Sequence, residues 1–155
     1  MDDSEVYTKM ADHEKIQNEW EPKVGDRCVH REHHSLGNLV VIAIPGFPKY
    51  RRTDRLILRC TPDRDENWIR DKADLIFKPR QDQLIEMLPK RKNFIFLLED
   101  LDTFIFDNLV EDHGKVPYTP PLQKEWENAS MEQLWLAFMM YELHNLRWDG
   151  GWRKG

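Results

Sequence analysis

Cysteine is scarce: Cys28 and Cys60 are the only two in 155 residues, too few to staple the chain as a disulfide scaffold. Long hydrophobic runs are missing as well. The longest, Leu134 to Tyr141, covers eight residues, whereas a helix needs roughly 20 to cross a bilayer. The first twenty residues are acidic and hold no apolar stretch of the kind a secretory leader carries, so a soluble cytoplasmic protein without a membrane partner is expected. Glycine numbers seven and builds no phosphate-cradling loop; G-x-S-x-G and H-E-x-x-H are absent too. With these constellations missing, neither an enzyme nor a cofactor is expected.

Aromatic side chains are plentiful: six Trp, seven Phe and four Tyr within a 40% hydrophobic composition, enough to bury a substantial core. The net charge of −5 is unevenly spread. Residues 1–20 carry two basic and six acidic side chains, residues 21–80 thirteen and nine, and residues 81–155 eight and thirteen. The balance runs −4, +4 and −5 along the chain, a split that favours two structural units with different surfaces.

The hydrophobic pattern changes period near Pro79. Residues 1–19 offer only Val6, Met10 and Ile16 as aliphatic anchors and read as a mobile acidic arm. Residues 20–79 read as short strands. Arg27 to His30 alternates, Leu39 to Ile44 is a β-branched run ended by Pro45-Gly46, and Arg55 to Thr61 alternates again. Trp68-Ile69 and Leu75-Ile76-Phe77 are further short apolar segments. Residues 80–155 read as a helical unit of about three helices. Gln81 to Leu88 is the first; the second, Asn93 to Glu111, places Phe94, Leu97, Leu98, Leu101, Ile105 and Leu109 on one stripe. Ser130 and Gln133 match a capping box that opens the third, which runs to about Asn145. Arg147 to Trp152 then reads as a closing turn or hairpin.

The lead-in Val24-Gly25-Asp26, the segment Leu36 to Ile42, the strand Arg55 to Cys60 and Ala73-Asp74-Leu75 together resemble an SH3-like barrel of the KOW or Tudor type. The fold class expected is therefore α+β, a small SH3-like β-barrel followed by the helical unit. The resemblance implies a module that binds nucleic acid, peptides or protein surfaces and is seldom catalytic alone.

Three constellations carry possible chemistry. In Cys28-x-His30-x-x-His33-His34, Cys28 and His30 share a strand face, and His33 and Cys60 would complete a four-ligand zinc site. No second C-x-x-C or H-x-x-x-H pair supports it, and histidine as polar filler of a strand and hairpin loop is the favoured reading. The basic stretch Lys49, Tyr50, Arg51, Arg52 and Arg55 interleaves an aromatic ring with cations. It suits phosphate binding with a base stacked on Tyr50, an acidic protein surface, or plain solvation. Trp135, Phe138, Met139 and Met140 lie on a helix that is apolar all round, either central in its fold or shared with a partner. With Trp148 and Trp152 they form a candidate interface, for a homodimer or for another protein. The carboxylates Glu99, Asp100, Asp102 and Asp107 read as the wet face of the second helix.

Two stretches, Ala73 to Leu88 and Ser130 to Met140 with the closing Trp148-Asp149-Gly150, resemble a group of small uncharacterised phage and prophage proteins of Gram-positive bacteria. That resemblance implies a viral setting in the host cytoplasm and carries no catalytic residues. The expectation is a non-enzymatic binding protein, in its sharpest form a counter-defence, anti-CRISPR-like inhibitor that occupies a host protein or nucleoprotein complex. The alternative is a nucleic-acid-binding module using the basic loop.

Overall fold

A computed structural model describes residues 2, 4–33, 37–44, 55–60, 67–88, 93–109, 123 and 126–155. Among them the protein is a mixed α+β fold of five helices and seven strands. It divides into two units, residues 3–79 and residues 80–155 together with 1–2.

In the first unit the β-branched and alternating segments become β1 (Arg27–His30), β2 (Leu39–Ala43), β3 (Arg55–Cys60), β4 (Asn67–Asp71) and β5 (Leu75–Phe77). A 3₁₀ turn, Lys72–Asp74, joins the last two. Every pairing is antiparallel and the order is β4-β3-β2-β1-β5, so the last strand lies beside the first. Cys28 stands opposite both Leu39 and Phe77, and Leu58 opposite Val41, which gathers the buried side chains of four strands on one face. Gly25, at φ 96°, makes the turn that leads into β1. The bulge between Val41 and Ala43 bends β2.

The expected barrel does not close. β4 and β5 are the edges of an open sheet, and among the described residues no ladder joins them. The physical reason lies at Phe77. Its N–H donates to Gln17 Oε1 at 2.9 Å, and its carbonyl accepts from Gln17 Nε2 at 3.2 Å. A side-chain amide thus occupies the edge that a closing strand would need.

Gln17 comes from the stretch expected to be a mobile arm, and that expectation is corrected. Residues 5–19 form α1 (Glu5–Ala11) and α2 (Glu14–Glu19), the first capped by Ser4 Oγ accepting from the Tyr7 N–H at 3.0 Å. Tyr7, Met10, Ala11 and Ile16 are buried, and the Tyr7 hydroxyl donates to the Pro79 carbonyl. Tyr7 completes an i, i+3, i+4 stripe with Met10 and Ala11 that a search for aliphatic anchors passes over.

The second unit contains α3 (Gln81–Met87), α4 (Phe94–Leu109) and α5 (Met131–His144), then a hairpin of β6 (Leu146–Trp148) and β7 (Trp152–Lys154). α5 packs against α3, α4 and β6. Leu97, Leu101, Phe104 and Leu109 of α4 point inward, and Phe104 meets Phe138 and Tyr141 at ring-centroid distances of 5.7 and 5.3 Å. Half of the expected capping box forms: Ser130 Oγ accepts from the Gln133 N–H at 3.1 Å. The Gln133 amide does not reach back; it donates to Asp2 Oδ2 at 2.6 Å. Asn145, left-handed at φ 51°, ends α5 and turns the chain into the hairpin. No helix among the described residues is long and apolar enough to cross a membrane.

Candidate functional site

The cysteine–histidine stretch is structural in its described part. Cys28 is buried, its thiol faces the Leu39 carbonyl at 3.8 Å, and burial pushes its pKa up to about 12, with the Asp26 charge adding to the effect. A thiol held in its protonated form is a poor metal ligand and a poor nucleophile. His30 Nδ1 accepts from the backbone N–H groups of Glu32 at 3.2 Å and His33 at 3.3 Å, so it closes the turn after β1. Burial first, then the charges of His33 and Arg70, lower its pKa and favour the neutral ring those two bonds require. His33 is exposed, with its ring 4.7 Å from that of His30. Among the described residues no group of three or more His, Cys, Asp or Glu side chains converges to hold a metal ion. Cys60 ends β3, and its side chain lies outside the described part.

Of the basic stretch, Lys49, Tyr50, Arg51 and Arg52 lie outside the described residues. Arg55 starts β3 and pairs with Asp71 Oδ1, opposite it on β4, at 3.2 Å. One cation of that stretch is therefore matched by a carboxylate.

A cleft of about 580 Å³ runs between α1 and the sheet, lined by Glu5, Lys9, Asp12, Arg31, Ile76 and Lys78 among others. Two of the cations among its described lining residues meet carboxylates, and the third meets a neutral amide. Lys9 pairs with Glu5 at 2.9 Å, Arg31 with Asp12, and the Lys78 ammonium, buried to 1% exposure, donates to Asn38 Oδ1 at 3.4 Å.

The candidate interface on α5 is corrected. Trp135, Phe138, Met139 and Met140 are 0–1% exposed, so they offer a partner no surface. A helix apolar on every side settles by being surrounded, here by α3, α4 and β6. Trp148 and Trp152 are half-buried and pack edge to face, centroids 5.2 Å apart, across the hairpin.

Among the described residues, α4 carries the largest group of exposed apolar side chains. Ile95, Phe96 and Phe106 are 61%, 57% and 63% exposed, and Phe94 and Leu98 are exposed with them. Phe94-Ile95-Phe96-Leu97-Leu98 is a run of five, and a helix cannot turn five consecutive residues inward. That is the signal in the sequence; the stripe that assigns Phe94 and Leu98 to the core hides it. Ile95, Glu99, Asp102 and Phe106 follow at i, i+4, i+7 and i+11, which sets them along one outward line. The line reads apolar, acidic, acidic, apolar. α4 carries four carboxylates and no basic residue.

No family model, no curated protein and no solved structure matches this chain.

Proposed function

We propose that this is a non-enzymatic binding protein that occupies a partner protein through the outward face of α4. The supporting observation is the combination of large exposed apolar side chains with carboxylates on one helix. Exposed apolar groups rimmed by polar ones are what interaction sites present, and aromatic anchors dominate binding energy. The partner is a protein whose surface is apolar and basic, as nucleic-acid-binding surfaces are. In this reading Glu99 and Asp102 take the part of phosphates, with Ile95 and Phe106 as flanking anchors. In the viral setting implied by the phage resemblance, that partner is a host protein or nucleoprotein complex in the host cytoplasm, and its occupation is counter-defence inhibition. The open five-stranded sheet, with its last strand returning beside its first, is the SH3-like scaffold of this reading.

The test is retention of bacterial host proteins, pre-fractionated on heparin, by the immobilised protein. The expected result is one stoichiometric partner, displaced by duplex DNA, and lost from Ile95→Asp and Phe106→Asp variants whose melting temperatures are unchanged. Equal retention by wild type and both variants would overturn the proposal. So would a wild type that self-associates through α4 and retains nothing.

A further inference from the structure

In the second unit a cavity of about 360 Å³ opens beside the C-terminal hairpin, within the size range of small-molecule sites. Its walls divide by chemistry. Phe104, Leu109, Trp126 and Ala137, all buried, supply an apolar side. Arg147, Arg153 and Lys154 supply a cationic side, with the Asp149 side chain beside them among the described lining residues.

The placement of two of these cations is unusual. Arg147 and Arg153 stand directly opposite each other in the β6–β7 pair. Cross-strand partners share a face, and like charges there destabilise a sheet. Arg153 finds Asp149 Oδ2 at 3.0 Å, while the Arg147 guanidinium lies over the Tyr141 ring, 5.4 Å from its centroid. A hairpin of three-residue strands that sets two arginines directly opposite each other beside an apolar cavity breaks a local rule, and such breaks concentrate at functional sites.

We infer that this cavity binds an aryl phosphate ester, with the ring against Phe104, Leu109, Trp126 and Ala137 and the phosphate between Arg147 and Arg153. Guanidinium forks match the oxygens of a phosphate monoester by paired hydrogen bonds. The ligand relieves the Arg147–Arg153 repulsion that the free hairpin sustains. This site is separate from the α4 face, and neither reading depends on the other.

Phenyl phosphate is the probe, titrated into the full chain by calorimetry and followed by the indole N–H signals of Trp126 and Trp148 in NMR. Saturable one-to-one binding that shifts both signals is expected. Arg147→Gln and Arg153→Gln should each weaken it about tenfold or more, the worth of a charge-assisted pair. Inorganic phosphate and phenol, each carrying half of the ligand, should bind at least about tenfold more weakly. Asp149→Asn removes the competing carboxylate and should tighten binding, which keeps the test informative if an arginine variant fails to fold. A neutral phosphotyrosine peptide that binds tighter than phenyl phosphate assigns the chemistry to a protein-borne group; equal affinity assigns it to a free ester. No saturation with phenyl phosphate, equal binding of inorganic phosphate, or unchanged affinity in the Arg147 and Arg153 variants would overturn the site.

Discussion

Trp20 lies flat on Phe77, with ring centroids 4.9 Å apart and planes within 2°. The same indole donates through Nε1 to Asp26 Oδ2 at 2.8 Å, and that oxygen also accepts from the Lys23 N–H at 2.8 Å. One residue therefore fixes the end of α2 to β5 and holds a buried carboxylate in the turn before β1. Trp20→Ala is expected to cost about 3–5 kcal/mol, as large aromatic truncations in cores do. Trp20→Phe keeps a ring on Phe77 and loses the bond to Asp26, for about 1–3 kcal/mol. Urea denaturation gives both values; the opposite ranking would contradict this assignment of roles.

Asp2 acts at the other end of the chain. Its Oδ2 accepts from the Ser130 hydroxyl at 2.7 Å and from Gln133 Nε2 at 2.6 Å, which adds an acidic group to the N-terminus of α5. Negative charge there interacts favourably with the helix dipole. Asp2→Ala should lower stability by about 1 kcal/mol, the typical worth of a helix cap. Thermal melts of the two proteins decide it, and an unchanged melting temperature would remove Asp2 from this role.

His30 gives a pH dependence of definite sign. Its folded pKa is lowered, chiefly by burial, from an unfolded value of about 6.5. The unfolded chain then binds the extra proton, so the stability contributed by the neutral ring is complete above about pH 6.5 and is lost as pH falls through the folded pKa. Between about pH 7 and 5.5 the wild type should lose more melting temperature than His30→Asn, whose side-chain oxygen accepts the same two N–H groups without titrating. Parallel loss in both proteins would assign the acid sensitivity elsewhere.

The strands, the three later helices and the hairpin were legible because their signals are local. Pro45-Gly46 ends a β-branched run, and Ser130 announces a helix. What escaped needed tertiary information. The anchor Tyr7 gains its meaning only when Pro79 receives its hydroxyl, and Gln17 blocks closure of the sheet from 60 residues away. On α4 the phase of the helix was ambiguous because the first five residues are all apolar. Leu97, Leu101 and Leu109 turn inward as the stripe has them, Phe104 joins them, Ile105 is half-buried, and Phe94 and Leu98 stand exposed. The candidate ligand site was least legible of all. Arg147 and Arg153 look like ordinary surface charges until the hairpin register sets them opposite each other.

Cys28 should be chemically silent in the native protein. Its folded pKa is raised to about 12 by burial, so the thiol stays protonated at ordinary pH. By linkage, the stability tied to that protonated thiol is complete below the unfolded pKa of about 8.5 and is lost as pH climbs towards the folded value. In a Cys60→Ser background, iodoacetamide at pH 8 should modify Cys28 only as fast as the protein unfolds. Prompt modification of the native protein would show the thiol to be accessible.

Phe138 and Phe106 separate the core from the proposed docking surface. Phe138 is 1% exposed and packs against Phe104 and, edge to face at 5.9 Å, against Trp135; Phe106 is 63% exposed. Phe138→Ala removes a buried ring from the centre of the helical unit and should cost about 3–5 kcal/mol. Phe106→Ala removes a ring that water already touches and should stay within about 0.5 kcal/mol of wild type. Partner retention should follow the reverse order. Folded Phe106→Ala loses the partner, whereas Phe138→Ala, assayed at a temperature where it is still folded, keeps it. A Phe106→Ala protein that melts like wild type and retains the partner undiminished would leave α4 without a binding role. The exposed phenyl rings would then be a cost to solubility with no return.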